Sequence, residues 1–547
     1  MHLPSGQRLV TASEMAAIDH AAISGRGIHS HDLMERAGKE SARAMIAWWR
    51  GVTAAKPGRL RRRPATAARP PRGRVIVLAG RGNNGGDGFV CARHLKAEGF
   101  TVRVLVAAEE GALSDDAAAS LAACEKVHTP VTFLPDPRAW GPGSEAAFAA
   151  HEAMFLVDAL LGTGSHGAPR GAVAAAIEMA ERCEKPVASI DIPSGIDATT
   201  GYRENPSIKA DLTVTLALPK RGLAIEPGRS SAGLVEVADI GIPQSVIDEM
   251  IPGMLTADPG WARTLLPSRP MDAHKGSVGR VLLVGGSAGM MGAVGMAGEA
   301  ALRVGAGYVI AAVPQSCVDA LESRVAEVVK RGLPQTPERT LALGARDEIL
   351  AEAIRADVVA IGPGLSRNSE TQELARELLE RVEAPIVLDA DGLNAFEGRG
   401  VHRMHGPLVL TPHYAEAARL SGHSVADIAR DPAGWARRFA DETRAIVCLK
   451  STPMITAIPA EPLILNATGN PGMATAGAGD VLTGAIAGLI AQGVDAEEAG
   501  ALGCYIHGLA GDVAARRLGM RGLIAGDILR ALPAAITALE SGALAEI

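Results

Sequence analysis

Twice along this chain, continuous runs of Val, Ile, Leu and Ala alternate with helical stretches, and no other feature narrows the possible folds as much. The first series is RVIVLAG (74–80), TVRVLVAA (101–108), AMFLVDALL (153–161), PVASIDIPS (186–194), LTVTLALP (212–219) and LVEVADIG (234–241). Strands apolar on both faces have no side to turn to water, so they belong to parallel sheets covered by helices. The second series opens with GRVLLVGGSAGMMGAVGMAGEAALRVGAGYVIAAV (279–313). It continues through ADVVAIGPG (356–364), PIVLDADG (385–392), PLVLTPH (407–413) and AIVCLK (445–450), and closes on ATAGAGDVLTGAIAGLIAQG (474–493). Between the two, Pro243, Pro252, Pro259, Pro267 and Pro270 punctuate the chain. At 547 residues the chain exceeds one ordinary domain. The expectation is two unrelated α/β domains, 1–242 and 273–547, joined by a linker at 243–272.

Aromatic residues make up 3% of the chain and the net charge is −7. Few rings for base stacking and an acidic balance argue against a nucleic-acid partner. The local exception is KPGRLRRRPATAARPPRGR (56–74), with eight basic residues, four prolines and no acid, which reads as a solvated loop. The six cysteines are scattered without a C-x-x-C pair, so neither a disulfide framework nor a zinc site is expected. The opening MHLPSGQRLVTASEM has no apolar core of a signal peptide, and the apolar stretch 481–493 is too short to span a bilayer. A soluble, cytoplasmic protein is expected.

AGRGNNGGDG (79–88) satisfies G-x-G-x-x-G through Gly80, Gly82 and Gly85, between an apolar strand and a helical stretch. That is the dinucleotide fingerprint, with Glu109 and Glu110 roughly where a ribose-binding acid would stand. The residues between the glycines argue otherwise. A pyrophosphate loop turns backbone donors to the phosphates, whereas Asn83, Asn84 and Asp87 crowd this turn, and Asp87 would repel a pyrophosphate on the helix start. Two further strand ends are similar. FLVDALLGTGSHGAP (155–169) carries Asp158, and SIDIPSGID (189–197) carries Asp191, Pro193 and Ser194. Each alone is ordinary turn chemistry. Three at the carboxyl ends of successive strands make a site, because open α/β sheets bind ligands there.

In the second half, TAGAGDVLTG (475–484) crowds small residues into a turn that opens a helix near Asp480. Backbone N–H groups at a helix start bind anions. An acid there would oppose a phosphate unless it accepts the proton of a hydroxyl attacking a phosphoryl group. On spacing alone, an N-capping Asp remains open.

Several ordered motifs in 270–535 add to this reading: HKGSVGRVLLVGGS (274–287), GPGLSR (362–367), VLDADGLN (387–394), LTPHYAE (410–416) and NATGNPGMATAGAGDVLTG (466–484). This half resembles the ADP-dependent NAD(P)H-hydrate dehydratases, a branch of the ribokinase-like superfamily. The family removes water from a reduced nicotinamide ring hydrated at C6. The resemblance implies a ribokinase-like α/β fold, ADP as co-substrate and Mg²⁺. It implies Asp480 as catalytic base and hydrate contact, with Ala293, Gly364 and His413 as further hydrate contacts. It also implies Lys450, Ser451, Thr452, Pro453, Met454 and Gly479 as the nucleotide site. The family usually reads Lys-Gly at 450–451, and LKSTPMI departs from that at Ser451 and Met454.

GRGNNGGDGFVCARHL (80–95), VDALLGTG (157–164), DIPSGID (191–197) and LALPKRG (216–222) resemble the NAD(P)H-hydrate epimerases over roughly 10–242. The 56–74 stretch looks like an insertion in that family. The resemblance implies a Rossmann-like three-layer α/β/α domain that interconverts the R and S hydrates. Asp191 would be its acid/base and a hydrate contact. The hydrate loops would be Asn83, Asn84, Gly85, Gly86 and Asp87, together with Gly162, Thr163, Gly164, Ser165, His166, Gly167 and Ala168. Asn84, Asp158 and Ser194 would ligate K⁺, a hard cation suited to oxygen donors. A fused repair enzyme is therefore expected, possessing both activities, with hydrated NADH or NADPH and ADP as small-molecule partners, no membrane or nucleic-acid partner, and a homo-oligomeric state. A ribokinase-like small-molecule kinase fused to a nucleotide-binding domain is the alternative.

Overall fold

The computed structural model describes residues 1–54, 73–402 and 405–543. Residues 56–72 of the basic stretch therefore lie outside the described residues, and Arg74 opens a strand. The chain forms two compact units, Arg8–Gly253 and Met1–Gln7 with Met254–Ile547. Both are α/β.

The first unit holds a seven-stranded sheet. Its strands are β1 (Arg74–Ala79), β2 (Thr101–Val106), β3 (Val131–Phe133), β4 (Phe155–Ala159), β5 (Val187–Ile190), β6 (Leu212–Leu216) and β7 (Leu234–Ala238). All are parallel, in the order β3-β2-β1-β4-β5-β6-β7. Val75 to Ala79 and Phe155 to Ala159 are buried throughout, as both-face coverage requires. The strand order reverses between β1 and β4, so their carboxyl ends splay apart at the crevice where such sheets take ligands.

The second unit contains β8 (Met254–Thr256), β9 (Arg280–Val284), β10 (Tyr308–Pro314), β11 (Val329–Leu333), β12 (Val358–Ile361), β13 (Ile386–Leu388), β14 (Leu408–Leu410), β15 (Ile446–Leu449), β16 (Ile455–Ala457) and β17 (Leu463–Leu465). They lie in the order β8-β17-β16-β15-β14-β13-β12-β9-β10-β11. Here too the order reverses, at β9. The expected parallel sheet is interrupted, because β15, β16 and β17 pair antiparallel. The connection Lys450–Met454 is too short for a parallel crossover, so the chain must fold back on itself.

The segment expected as a linker, 243–272, is largely built into the two units. The helix Gln244–Asp248 buries Val246 and Ile247 in the first unit. β8 pairs with β17, and the helix Pro259–Thr264 buries Trp261 in the second core. Asp258 caps that helix through the Trp261 N–H with Pro259 following, so this proline starts an element instead of breaking one. All six thiols are free and five are buried. Among the described residues, no helix is long and apolar enough to cross a membrane.

Candidate active sites

The first site lies at the β1/β4 crevice. A cavity of about 720 Å³ opens there, lined by the helix start after β1, the loop after β4, and residues following β5 and β6. The loop after β1 turns into the helix Asn83–Ala97. A Cβ on Gly85 would clash with the Gly80 carbonyl, so glycine here serves the close approach of helix to strand. Asn83 accepts from the Ser114 hydroxyl at 2.8 Å. Glu109 and Glu110 are exposed in the loop after β2.

Asp158, near the end of β4, is completely buried. It accepts from Ser189 Oγ at 2.8 Å, from Ser194 N at 2.9 Å, from Ser194 Oγ at 2.6 Å and from Leu160 N at 3.3 Å. Asn84 donates through Nδ2 to the Leu161 carbonyl at 2.8 Å, while its Oδ1 is buried without a partner. A buried acceptor left open is costly, and it marks a place for a cation or donor.

Asp191 follows β5 with φ +69°, a strained backbone for a non-glycine residue and one that clusters at functional sites. Its carboxylate is ion-paired with Lys220, whose side chain is 1% exposed, and accepts from Leu216 N at 3.2 Å. Lys220 Nζ also donates to the Leu216 carbonyl at 2.7 Å. Asp87 and Asp19 line the same cavity. Burial, then the nearby Asp191, pushes Asp87 well above the usual carboxylate range. Burial raises Asp19 to about 6. Gly162, Thr163, Gly164 and Ser165 line the cavity. His166 is largely exposed with Nδ1 3.8 Å from Asp197, and Gly167 borders a smaller adjoining pocket with Ser165.

The second site gathers at the carboxyl ends of β9 and β12 to β15. Gly477 takes φ +91° as N-cap of the helix Ala478–Ala491, a conformation glycine adopts without strain. The turn places the Ala478, Gly479 and Asp480 amides at the helix start with Asp480 in the first turn. Burial, then the negative charge of Asp389, raises Asp480 from the usual carboxylate range to about 7. Asp389 is buried and accepts from Lys450 Nζ at 2.7 Å and from Thr483 Oγ1 at 2.7 Å. Lys450 Nζ also stands 3.7 Å from Glu416. A Cβ on Gly479 would meet that ammonium at 3.3 Å. His413 caps the helix Tyr414–Ser421, its Nδ1 accepting from Ala415 N and Glu416 N at 3.1 and 3.2 Å. Burial holds it below the ordinary imidazole value. Gly364 packs on the helix Met291–Arg303, where its Cβ would lie 3.3 Å from that of Ala293.

Of the expected nucleotide contacts, Lys450 joins the acidic cluster and Gly479 stands against it. Ser451 is buried and donates to the Pro453 carbonyl at 2.6 Å, Thr452 is exposed, and Met454 packs against the hydrophobic core. Residues given no role from sequence also stand at these sites: Asp19 and Lys220 at the first, and Asp389, Glu416, Thr483 and His507 at the second. His507 is buried at the Ala478 backbone, and burial lowers its ring to about 4, so it is neutral.

A family model described as NAD(P)H-hydrate dehydratase matches 281–534, and one described as YjeF-related protein N-terminus matches 30–222. The chain is 43% identical to the bifunctional NAD(P)H-hydrate repair enzyme Nnr of Moorella thermoacetica over 97% of each chain. The chain belongs to the bifunctional NAD(P)H-hydrate repair enzymes. Relatives of the same name include those of Thermofilum pendens, 36% identical over 97% of both chains, and Escherichia coli, 35% identical over 84% of both. The ADP/ATP-dependent NAD(P)H-hydrate dehydratase of Bacillus subtilis, solved with ATP and Mg²⁺, is 28% identical. It aligns to 52% of this chain and 98% of its own with a TM-score of 0.46. Membership in this family gives the chain a repair function, with one α/β unit matched by each family model.

Proposed function

We propose that the second unit dehydrates the S hydrate of NADH or NADPH at the expense of ADP, and that the first equilibrates the R and S hydrates. The observation that carries this is Asp480, a carboxyl raised to about 7 and set in the first turn of a glycine-opened helix. A base whose value lies near the working pH is most effective at accepting a proton in a transition state. The C6 hydroxyl loses its proton to Asp480 as its oxygen attacks the β-phosphorus of ADP. AMP leaves, and amides of the Gly477–Gly479 turn steady the phosphoryl group. The lone pair of the adjacent ring nitrogen then expels phosphate from C6, and loss of a C5 proton restores the double bond. Phosphorylation turns hydroxide, a poor leaving group, into phosphate, a good one. Lys450, held by Asp389 and Glu416, would meet the nucleotide's negative charge. Mg²⁺ would arrive on the nucleotide's phosphates, its usual mode of binding.

In the first unit, Asp191 handles protons at C6. The open Asn84 Oδ1, joined through Leu161 to Ser194 and so to Asp158, fits a K⁺ ion in a set of oxygen donors. Bound there, the cation would supply positive charge to a site rich in carboxylates. The protein is expected to act in the cytoplasm as a homo-oligomer.

Purified protein given S hydrate, ADP and Mg²⁺ should yield reduced cofactor, AMP and phosphate in equal amounts. Given R hydrate alone, it should produce S hydrate, several-fold faster in K⁺ than in Na⁺. Reduced cofactor formed without AMP would refute the phosphoryl route, and equal epimerisation in both salts would refute the K⁺ site.

A further inference from the structure

We propose that Asp87 is the proton donor of the epimerase, working opposite the ion-paired Asp191. This rests on the epimerase reading of the first unit. Both carboxyls line one cavity at the β1/β4 crevice. Their surroundings differ. Asp191 faces the buried Lys220 ammonium and a backbone N–H. Asp87 is as buried as Asp191 and its side chain makes no hydrogen bond or ion pair among the described residues. Among the described residues the charges that act on it are Asp191, Asp19 and Lys220, and Lys220 is engaged by Asp191; Arg81 lines the same cavity. Burial and these carboxylates keep the proton on Asp87. A carboxyl that keeps its proton and an ion-paired carboxylate in one cavity divide naturally into an acid and a base.

C6 of the hydrate bears a hydroxyl and the ring nitrogen N1, which makes it a hemiaminal. Such a centre inverts without any redox step if one bond opens and recloses. Asp191 takes the hydroxyl proton, the C6–N1 pair returns to nitrogen, and N1 takes the Asp87 proton, leaving an aldehyde at C6. After rotation about C5–C6, N1 adds to the other face. Its proton returns to Asp87, and Asp191 gives its proton back to oxygen. Every atom and electron is restored, and no co-reactant is needed.

Asp87→Asn keeps the size of the side chain and removes its acidity. Epimerisation kcat should fall at least a hundredfold, with KM for the hydrate within threefold and the dehydratase activity of the same chain unchanged, which reports folding. Epimerisation within threefold of wild type would overturn the proposal, as would a raised KM with kcat intact, since Asp87 would then only bind. A hundredfold loss in Asp19→Asn with Asp87→Asn active would overturn it too, by placing the donor on Asp19. Failure of this assignment and failure of the epimerase reading are distinguishable, because only the latter leaves wild-type protein without epimer exchange.

Discussion

Asp480→Asn abolishes dehydration, by about a thousandfold or more, and leaves epimer exchange at the wild-type rate. The expected magnitude is that of a lost general base, about 10²–10⁴-fold, at the upper end because a buried amide offers no substitute acceptor. Asn preserves the first turn of the helix, so the Ala478, Gly479 and residue-480 amides stay at the helix start. The pH dependence follows from the sign of the shift. The base must be ionised, and Asp480 loses its proton only near 7. Dehydration should therefore climb as pH rises through about 7 and level off above it. The same shift opposes folding: a carboxyl raised above its unfolded value destabilises the native state as pH rises from the ordinary carboxylate range towards 7. Asp480→Asn lacks that penalty, so its thermal midpoint at pH 8 should be no lower than wild type. A flat pH profile, or a variant that keeps a tenth of the activity, would remove Asp480 from the chemistry.

Lys220→Met should both stop epimerisation and destabilise the first unit. Lys220 is 1% exposed and paired with Asp191, itself nearly buried. Removing one partner of a buried ion pair strands the other charge, a cost of about 3–5 kcal/mol. For a unit of this size that lowers the melting midpoint by about 10 °C. Asp191→Asn introduced beside Lys220→Met removes the stranded charge. It should recover most of the stability and none of the epimerase activity. A single Lys220→Met variant melting with wild type would mean that Asp191 finds its stabilisation elsewhere.

The sheet strands that line both sites were legible because their apolar runs are continuous, and β1, β4 and β9 lie within the expected segments. β3, β16 and β17 were not: each is three residues long and, unlike β13 and β14, lies outside the apolar runs read as strands. The antiparallel turn at Lys450–Met454 was hidden for a different reason: only the length of the connection marks it. Asp158, Asp191 and Ser194 could be picked out because strand ends announce themselves. Lys220 stands in LALPKRG, 29 residues from Asp191, and a lysine after a strand reads as solvated until the fold buries it. Asp389 and Asp391 share VLDADGLN, and the pattern alone does not tell which one turns to Lys450. His507 lies in a helix apolar almost all round, where a histidine reads as core.

One chain is expected to repair both epimers. The most direct measurement is the recovery of reduced-cofactor absorbance when an equilibrium mixture of R and S hydrates is given to the purified protein with excess ADP, Mg²⁺ and K⁺. The account predicts recovery of the whole mixture, with Asp191→Asn stopping near the S fraction. Wild-type recovery that stops at the S fraction, or none at all, would contradict it.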